Sequence, residues 1–257
     1  MNSHRTLKSC FLVAIIMLAP FYSAFGGRKN AVFMTGERLV YKVKFGFVKL
    51  GTLVIETGAP LDNHRINVKM KFWTAQVPFL DSKNTVTDII DTSGICVLRF
   101  EEHSTEGKSA LNCTMNYDPS LKTLTYNDDT TKNLVNSDVR PFSDAATLLF
   151  NLRTWNGSKS NYFFPMRGKN KENVVKCSFS QNESQQECPA LNDKEIATYR
   201  VDGFADMGKN PPLGANGKFT AYVTQDNASI PIRLDMSIAI GSISLVLDKI
   251  ERPGWKP

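Results

Sequence analysis

The chain has 257 residues, 42% of them hydrophobic, and 31 Lys and Arg against 25 Asp and Glu, for a formal net charge of +6. That is enough chain for one β sandwich or barrel. The basic residues are scattered, and the densest patch, Arg167-Gly-Lys169-Asn-Lys171, reads as a solvated turn, so composition gives no basic helix of the kind nucleic-acid binding uses.

His4, Arg5 and Lys8 precede an apolar run from Cys10 to Ala19. Pro20 closes the run, and Ala24-Phe-Gly26 places small residues at a cleavage site. This is the layout of a secretory signal peptide over residues 1–26. The run is about ten residues long, against the roughly 20 that a bilayer-spanning helix needs. The processed chain, residues 27–257, is therefore expected to be exported, to lack a transmembrane segment and to form a single antiparallel β domain. Its charge falls by two as Arg5 and Lys8 leave.

Residues 37–47 alternate, with Leu39, Tyr41, Val43, Phe45 and Phe47 on one face and Arg38, Lys42 and Lys44 on the other. That is a half-buried strand. A turn over 46–51 leads to a return strand over 52–56. Ile66, Val68, Met70 and Phe72 then alternate with Arg65, Asn67, Lys69 and Lys71. More strands are predicted near 84–91, 95–102, 109–117 and 121–126, which makes an antiparallel meander. One helix interrupts it. Ser143 is the predicted N-cap and Asp144 falls in the first turn. Ala145, Leu148, Leu149 and Leu152 recur at helical spacing, and Asn156-Gly157 stops the helix. With one apolar face, it is expected to cover an opening in the sheet. Strands follow near 160–167, 172–179, 195–204, 217–225, 229–238 and 241–250, with a long loop at 205–216.

Four cysteines outlast the leader: Cys96, Cys113, Cys177 and Cys188. An even number in an exported chain reads as disulfides. Cys96 and Cys113 mirror each other about a turn near Thr105-Glu106-Gly107. Cys177 and Cys188 flank a polar turn at Ser180-Gln-Asn-Glu-Ser-Gln185. The favoured pairings are therefore Cys96–Cys113 and Cys177–Cys188. The absence of a CxxC motif gives a metal or redox site less weight.

Catalytic signals are weak. His64 and His103 both sit in polar turns, and HExxH, GxSxG and a phosphate-cradling glycine loop are all missing. The expectation is a chain that is not an enzyme, with no catalytic residue, no metal and no cofactor. Asp144 and Asp226 read as a helix cap and a turn former, and Glu37 and Arg153 as a candidate ion pair.

Three stretches carry a resemblance. Gly36-Glu37-x-Leu39-x-Tyr41-x-Val43 with Gly51 opens the pattern, Asp144-Ala-Ala-Thr-Leu-Leu-Phe-Asn-Leu-Arg153 with Gly157 forms its middle, and Thr224-Gln-Asp226 with Ile230-Pro231 and Gly241-Ser-Ile closes it. In this order they resemble the exported bacterial proteins grouped as domain of unknown function 3108, over about residues 33–250. The resemblance implies a mainly β fold whose curved antiparallel sheet forms a half-open barrel, similar to periplasmic lipoprotein carriers, covered by the one central helix. It implies the periplasm as compartment and implies no reaction. The cysteines lie outside the family pattern.

What remains is binding. The inward sets are rich in large side chains, among them Tyr41, Phe45, Phe47, Met70, Phe72, Phe100, Met115, Tyr117 and Phe219. A residual apolar cavity would suit an acyl chain, since each buried CH₂ contributes about 0.8 kcal/mol. The candidate ligand-binding residues are Tyr41, Phe45, Phe72, Trp73, Phe79, Phe100, Leu148 and Phe219, with Phe72–Leu80 as a lip. The competing assignment is that the same side chains fill a core. The leading expectation is a carrier or sensor of a lipid or acylated molecule. A structural or interaction module with an envelope protein as partner is the alternative. A hydrolase of envelope glycans comes third, and it needs two carboxylates about 5–9.5 Å apart across a cleft.

Overall fold

Alternation of apolar and polar residues builds nearly all of this molecule. The computed structural model describes residues 31–74, 81–107, 109–154, 160–165, 172–177, 180–205, 217–238 and 241–255. The first run of strands is β1 (Arg38–Phe45), β2 (Val48–Pro60), β3 (Arg65–Thr74), β4 (Ser82–Asp91), β5 (Cys96–Glu106), β6 (Ser109–Asp118), β7 (Thr123–Asp128) and β8 (Leu134–Asn136). Helix α1 (Ala145–Thr154) follows, then a separate hairpin of β9 (Ser160–Pro165) and β10 (Glu172–Cys177). The second run is β11 (Ser180–Cys188), β12 (Lys194–Ala205), β13 (Gly217–Thr224), β14 (Pro231–Ile238) and β15 (Gly241–Glu251).

One 13-stranded sheet takes every strand except the β9–β10 hairpin, in the order β11-β12-β13-β14-β15-β1-β2-β3-β4-β5-β6-β7-β8. The chain begins in the middle of the sheet and walks outward to β8. It crosses over through α1 and the hairpin, re-enters at the opposite edge with β11 and walks back until β15 closes against β1. Edges β8 and β11 do not pair with each other, so the sheet is an open trough and not a closed barrel.

Curvature follows from the core. Cys188 on β11 and Ile90 on β4 belong to one buried cluster with Ala146, Leu149 and Phe150 of α1. Eight strand spacings of about 4.8 Å would separate β11 from β4 by roughly 38 Å on a flat sheet. The sheet must bend around α1 to bring them together. The outer face is polar, with cross-strand pairs such as Arg38–Glu56, Lys71–Glu56 and Lys42–Asp248.

Several expectations change. Asp144, not Ser143, caps α1: its Oδ1 accepts from Thr147 N at 2.9 Å, while Thr147 Oγ1 accepts from Asp144 N at 2.7 Å. The reciprocal bonds form a capping box with threonine in the third position. The polar turn expected at 180–185 is instead strand β11. Its backbone is satisfied by the ladder to β12 from Ser180↔Asp202 to Cys188↔Lys194, and polar side chains such as Glu183 and Glu187 suit an exposed edge. The short β8 was not foreseen. Phe47 leaves the inward set: it sits in the Gly46-Phe47 turn and is 94% exposed. The leader, Phe79, the Arg167–Lys171 patch, the Asn156-Gly157 stop and the 206–216 loop lie outside the described residues.

Candidate binding face

Register places one side of each strand on the trough's inner face, in rows that run across the sheet. Ile66, Ile90 and Val97 form a row toward the α1 end, and Thr57, Val68, Asp88, Phe100, Met115 and Tyr126 form the row beside it. Leu39, Ile55, Met70, Val86, Glu102 and Cys113 come next. Leu247, Tyr41, Leu53, Phe72 and Asn84 form the fourth, and Leu234, Leu245, Val43 and Gly51 the fifth. Phe219, Met236, Ile243 and Phe45 line the far rim.

The end beside α1 is tightly closed. Phe33 stacks on Phe150 with ring centroids 4.7 Å apart. Arg153 is fully buried. It donates to Glu37 through Nη1 at 2.6 Å and Nη2 at 3.0 Å, and through Nε to Ala228 O at 3.1 Å. Arg252 donates to the same carboxylate and to Ala31 O. The predicted Glu37–Arg153 pair is thus the centre of a knot that joins α1 to the start of β1, the β13–β14 turn and the C-terminal tail. Tyr41 OH donates to Pro231 O at 2.9 Å, and burial pushes its phenol pKa up. Asp226 shapes its turn as expected, accepting from Ser229 N at 3.0 Å and Thr224 Oγ1 at 2.6 Å, and its Oδ2 accepts from Trp255 Nε1 at 2.6 Å.

Below α1 the wall carries a second ionisable feature. Asp88 is fully buried, and neither of its carboxylate oxygens, nor Oδ2 of Asp144, has a conventional donor. Burial, the nearby Asp144 charge and a hydrogen bond to that carboxylate push the Asp88 pKa up to about 11. Two carboxylates side by side hold together by sharing a proton, so Asp88 is the neutral donor. Sequence reasoning missed this residue. The available signal was its parity, since Asp88 occupies the apolar side of β4 between Val86 and Ile90.

At the far end the wall changes character. Phe45, Leu53, Met70, Phe72, Leu234, Met236, Ile243 and Leu245 are all only half-buried. Three of the aromatics lie down against cross-strand glycines. A Cβ on Gly203 would meet the Phe219 ring at 2.2 Å, one on Gly51 would meet Phe72 at 2.9 Å, and one on Gly241 would meet Phe45 at 3.1 Å. Glycine at these points lets each ring rest close against backbone.

The predicted site residues divide accordingly. Tyr41, Phe45, Phe72, Phe100 and Phe219 share the inner face, with Tyr41 and Phe100 buried in two different clusters. Leu148 is half-buried on α1. Trp73 is a correction: its neighbours in the ladder are Thr52 and Lys83, one place out of phase with Phe72, which puts it on the outer face, 39% exposed. His64 and His103 are exposed as expected.

The Cys96–Cys113 disulfide does not form. Cys113 stands opposite Glu102, six residues along β5 from Cys96, which is roughly 20 Å at strand rise, and a disulfide requires Cα atoms within about 7 Å. Cys96, Cys113 and Cys188 are buried and none of them is joined in a disulfide. The side chain of Cys177 lies outside those described. Among the described residues no cluster of three His, Cys, Asp or Glu suits a metal ion, and no helix is long and apolar enough to cross a membrane. Two open clefts of about 450 and 420 Å³ flank Asp62 and Arg65 on the outside of the closed end. The Asp62 carboxylate there is already taken by the backbone of His64 and Arg65 and by the Arg65 side chain.

Residues 40–248 match the family described as protein of unknown function, DUF3108. No curated protein matches the chain. Among solved structures, a β-barrel-like protein of domain of unknown function DUF1849 from Brucella abortus is similar, with a TM-score of 0.59 at 12% identity, covering 85% of this chain and 98% of that one. It shares the fold. Weaker likenesses are a Bacteroides fragilis protein with a YmcC-like fold (TM-score 0.38, 11% identity, 85% and 96% covered) and a hypothetical protein from Chlamydia trachomatis (TM-score 0.38, 7% identity, 89% and 94% covered).

Proposed function

We propose, for a chain that belongs to the DUF3108 family of proteins of unknown function, the role of an exported, non-catalytic binding protein that holds a lipid or acylated molecule against the inner face of its sheet. One observation supports this reading above the others. Phe45, Phe72, Met236 and Ile243 lie on the inner face, half-buried, and join none of the three buried clusters among the described residues. Apolar wall of this kind gains from covering by an acyl chain, at about 25 cal/mol per Å² removed from water, and asks for no directional chemistry. Export rests on the leader expected at residues 1–26, and the periplasm as compartment on the family resemblance alone. The buried carboxylates argue against the glycan-hydrolase alternative. Asp88 and Asp144 lie side by side and buried beneath α1, whereas a glycosidase pair stands about 5–9.5 Å apart with a substrate between.

The test is to extract the purified processed chain for lipid mass spectrometry and to titrate it with a fluorescent fatty acid. Bound lipid, or probe binding that Ile243→Glu abolishes, is the expected result. No extractable lipid together with no probe binding would sink the carrier reading. The envelope-module alternative draws on the outer edge of β11, which pairs with no other strand among the described residues and to which a partner strand would add.

A further inference from the structure

Four of the large apolar side chains exposed among the described residues gather on one rim of the trough, the rim farthest from α1. Phe47 is 94% exposed at the tip of the β1–β2 hairpin, and Val48 beside it is 43% exposed. Trp73 closes β3 at 39% and Phe204 lies near the end of β12 at 44%. Each site comes with lysine. Trp73 stands directly opposite Lys83 and Phe204 directly opposite Lys218. At the hairpin tip Lys44 stands directly opposite Lys49. Like charges in that position disfavour the hairpin, so folding alone gives no reason for them. None of the ion pairs found among the described residues uses any of these four lysines. Asp235 and Asp202 stand in the same cross-strand row as Lys44 and Lys49, but each is already engaged, by Arg233 and Arg200; Asp81 and Glu106 are further described acids at this rim.

We propose that this rim docks on an anionic lipid bilayer. Aromatic rings with an apolar body settle at the boundary between headgroups and acyl chains, and lysine stems lie along apolar surface while their ammonium groups reach phosphate. Juxtaposed lysines each add attraction to an anionic surface. Phe47 is the wedge, Lys44 and Lys49 flank it, and the Trp73–Lys83 and Phe204–Lys218 pairs sit around the mouth of the trough. Docking depends on the rim and not on what the trough holds, so it stands or falls apart from the carrier reading.

The test is co-sedimentation of the purified processed chain with vesicles of phosphatidylcholine alone and of phosphatidylcholine mixed with phosphatidylglycerol. The wild type is expected to pellet with the anionic vesicles and to be released by salt. Phe47→Ser is expected to lower partitioning about tenfold, and Lys44→Gln with Lys49→Gln about thirtyfold, with the salt dependence reduced. All three positions are solvent-facing, and matching thermal midpoints verify that the variants fold. Trp73→Gln is a second apolar probe, and it is expected to weaken binding in the same direction. Failure of the wild type to bind anionic vesicles, equal binding to neutral ones, or variants that bind like the wild type would each overturn the proposal.

Discussion

A single carboxyl group illustrates how much chemistry one buried residue can impose. Asp88 is pushed up to about 11 by burial first and by Asp144 second, while an unfolded Asp titrates near 3.9. Between those limits the native chain keeps a proton that the unfolded chain has released. Stability therefore falls as pH rises, at up to about 1.4 kcal/mol per pH unit. Asp88→Asn keeps the shape and supplies an amide N–H to Asp144 Oδ2 without a titrating proton. We expect the variant to be more stable than the wild type at pH 8, and its urea midpoint to be flatter between pH 5 and pH 8. Parallel pH profiles would show that Asp88 ionises freely in the folded chain. The sequence carried a hint of this residue in its parity on β4. It carried none of the partner, because Asp144 lies 56 positions away and only the crossing of α1 over the sheet brings them together. Glu37 and Arg153 were easier to read, since Arg153 is a lone charge at the end of an apolar helical pattern and Glu37 offers the opposite sign.

At the scale of elements, α1 acts as the strut that sets the trough's curvature. Its N-terminal end is held by Asp144 near β4, Asn151 Nδ2 donates to Ile95 O at 3.2 Å, and Arg153 ties its far end to Glu37 and Ala228 O. Replacing Arg153 with Met removes three hydrogen bonds from a fully buried site and leaves Glu37 to Arg252 alone. Breaking a buried ion pair costs about 3–5 kcal/mol; with Arg252 still in place the lower figure is expected, read as a drop in urea midpoint at constant slope. A change below about 1 kcal/mol would mean that the knot is not what pins the helix. The helix was legible because its apolar residues recur at 3.6 spacing beside a capping residue, although the cap falls one place later than Ser143. Strands β1 and β3 were legible because one face is wet and charged. β11 was not, because an edge strand owes its place to backbone pairing with β12 and its own side chains look like those of a turn. The disulfide expectation failed because the turn falls later than expected: the β5–β6 ladder is symmetric about a point just after Gly107, from Glu106↔Ser109 to Arg99↔Asn116, so Cys113 meets Glu102.

For the whole molecule, the decisive contact is the one between the ends of the chain. β15 pairs with β1 from Arg38↔Glu251 to Phe45↔Ile243, and in the strand order this ladder alone joins β11–β14 to β1–β8. Every other pairing in the large sheet is between sequence neighbours and can form locally. The β1–β15 ladder closes a loop of about two hundred residues, and such non-local pairing is slow to form because its closure entropy precedes any reward. Two consequences follow for one experiment. In hydrogen exchange, amides of β1, β2, β14 and β15 should be the slowest, and those of the edge strands β8 and β11 should open first. A chain that stops before Gly241 should lose protection throughout, since β1 and β14 each lose a partner and the buried cluster around Leu247 and α1 loses one wall. If the shortened chain kept native-like protection in β2 to β6, the meander would be an independent folding unit, and the trough would be two sheets placed side by side instead of one sheet bent by its helix.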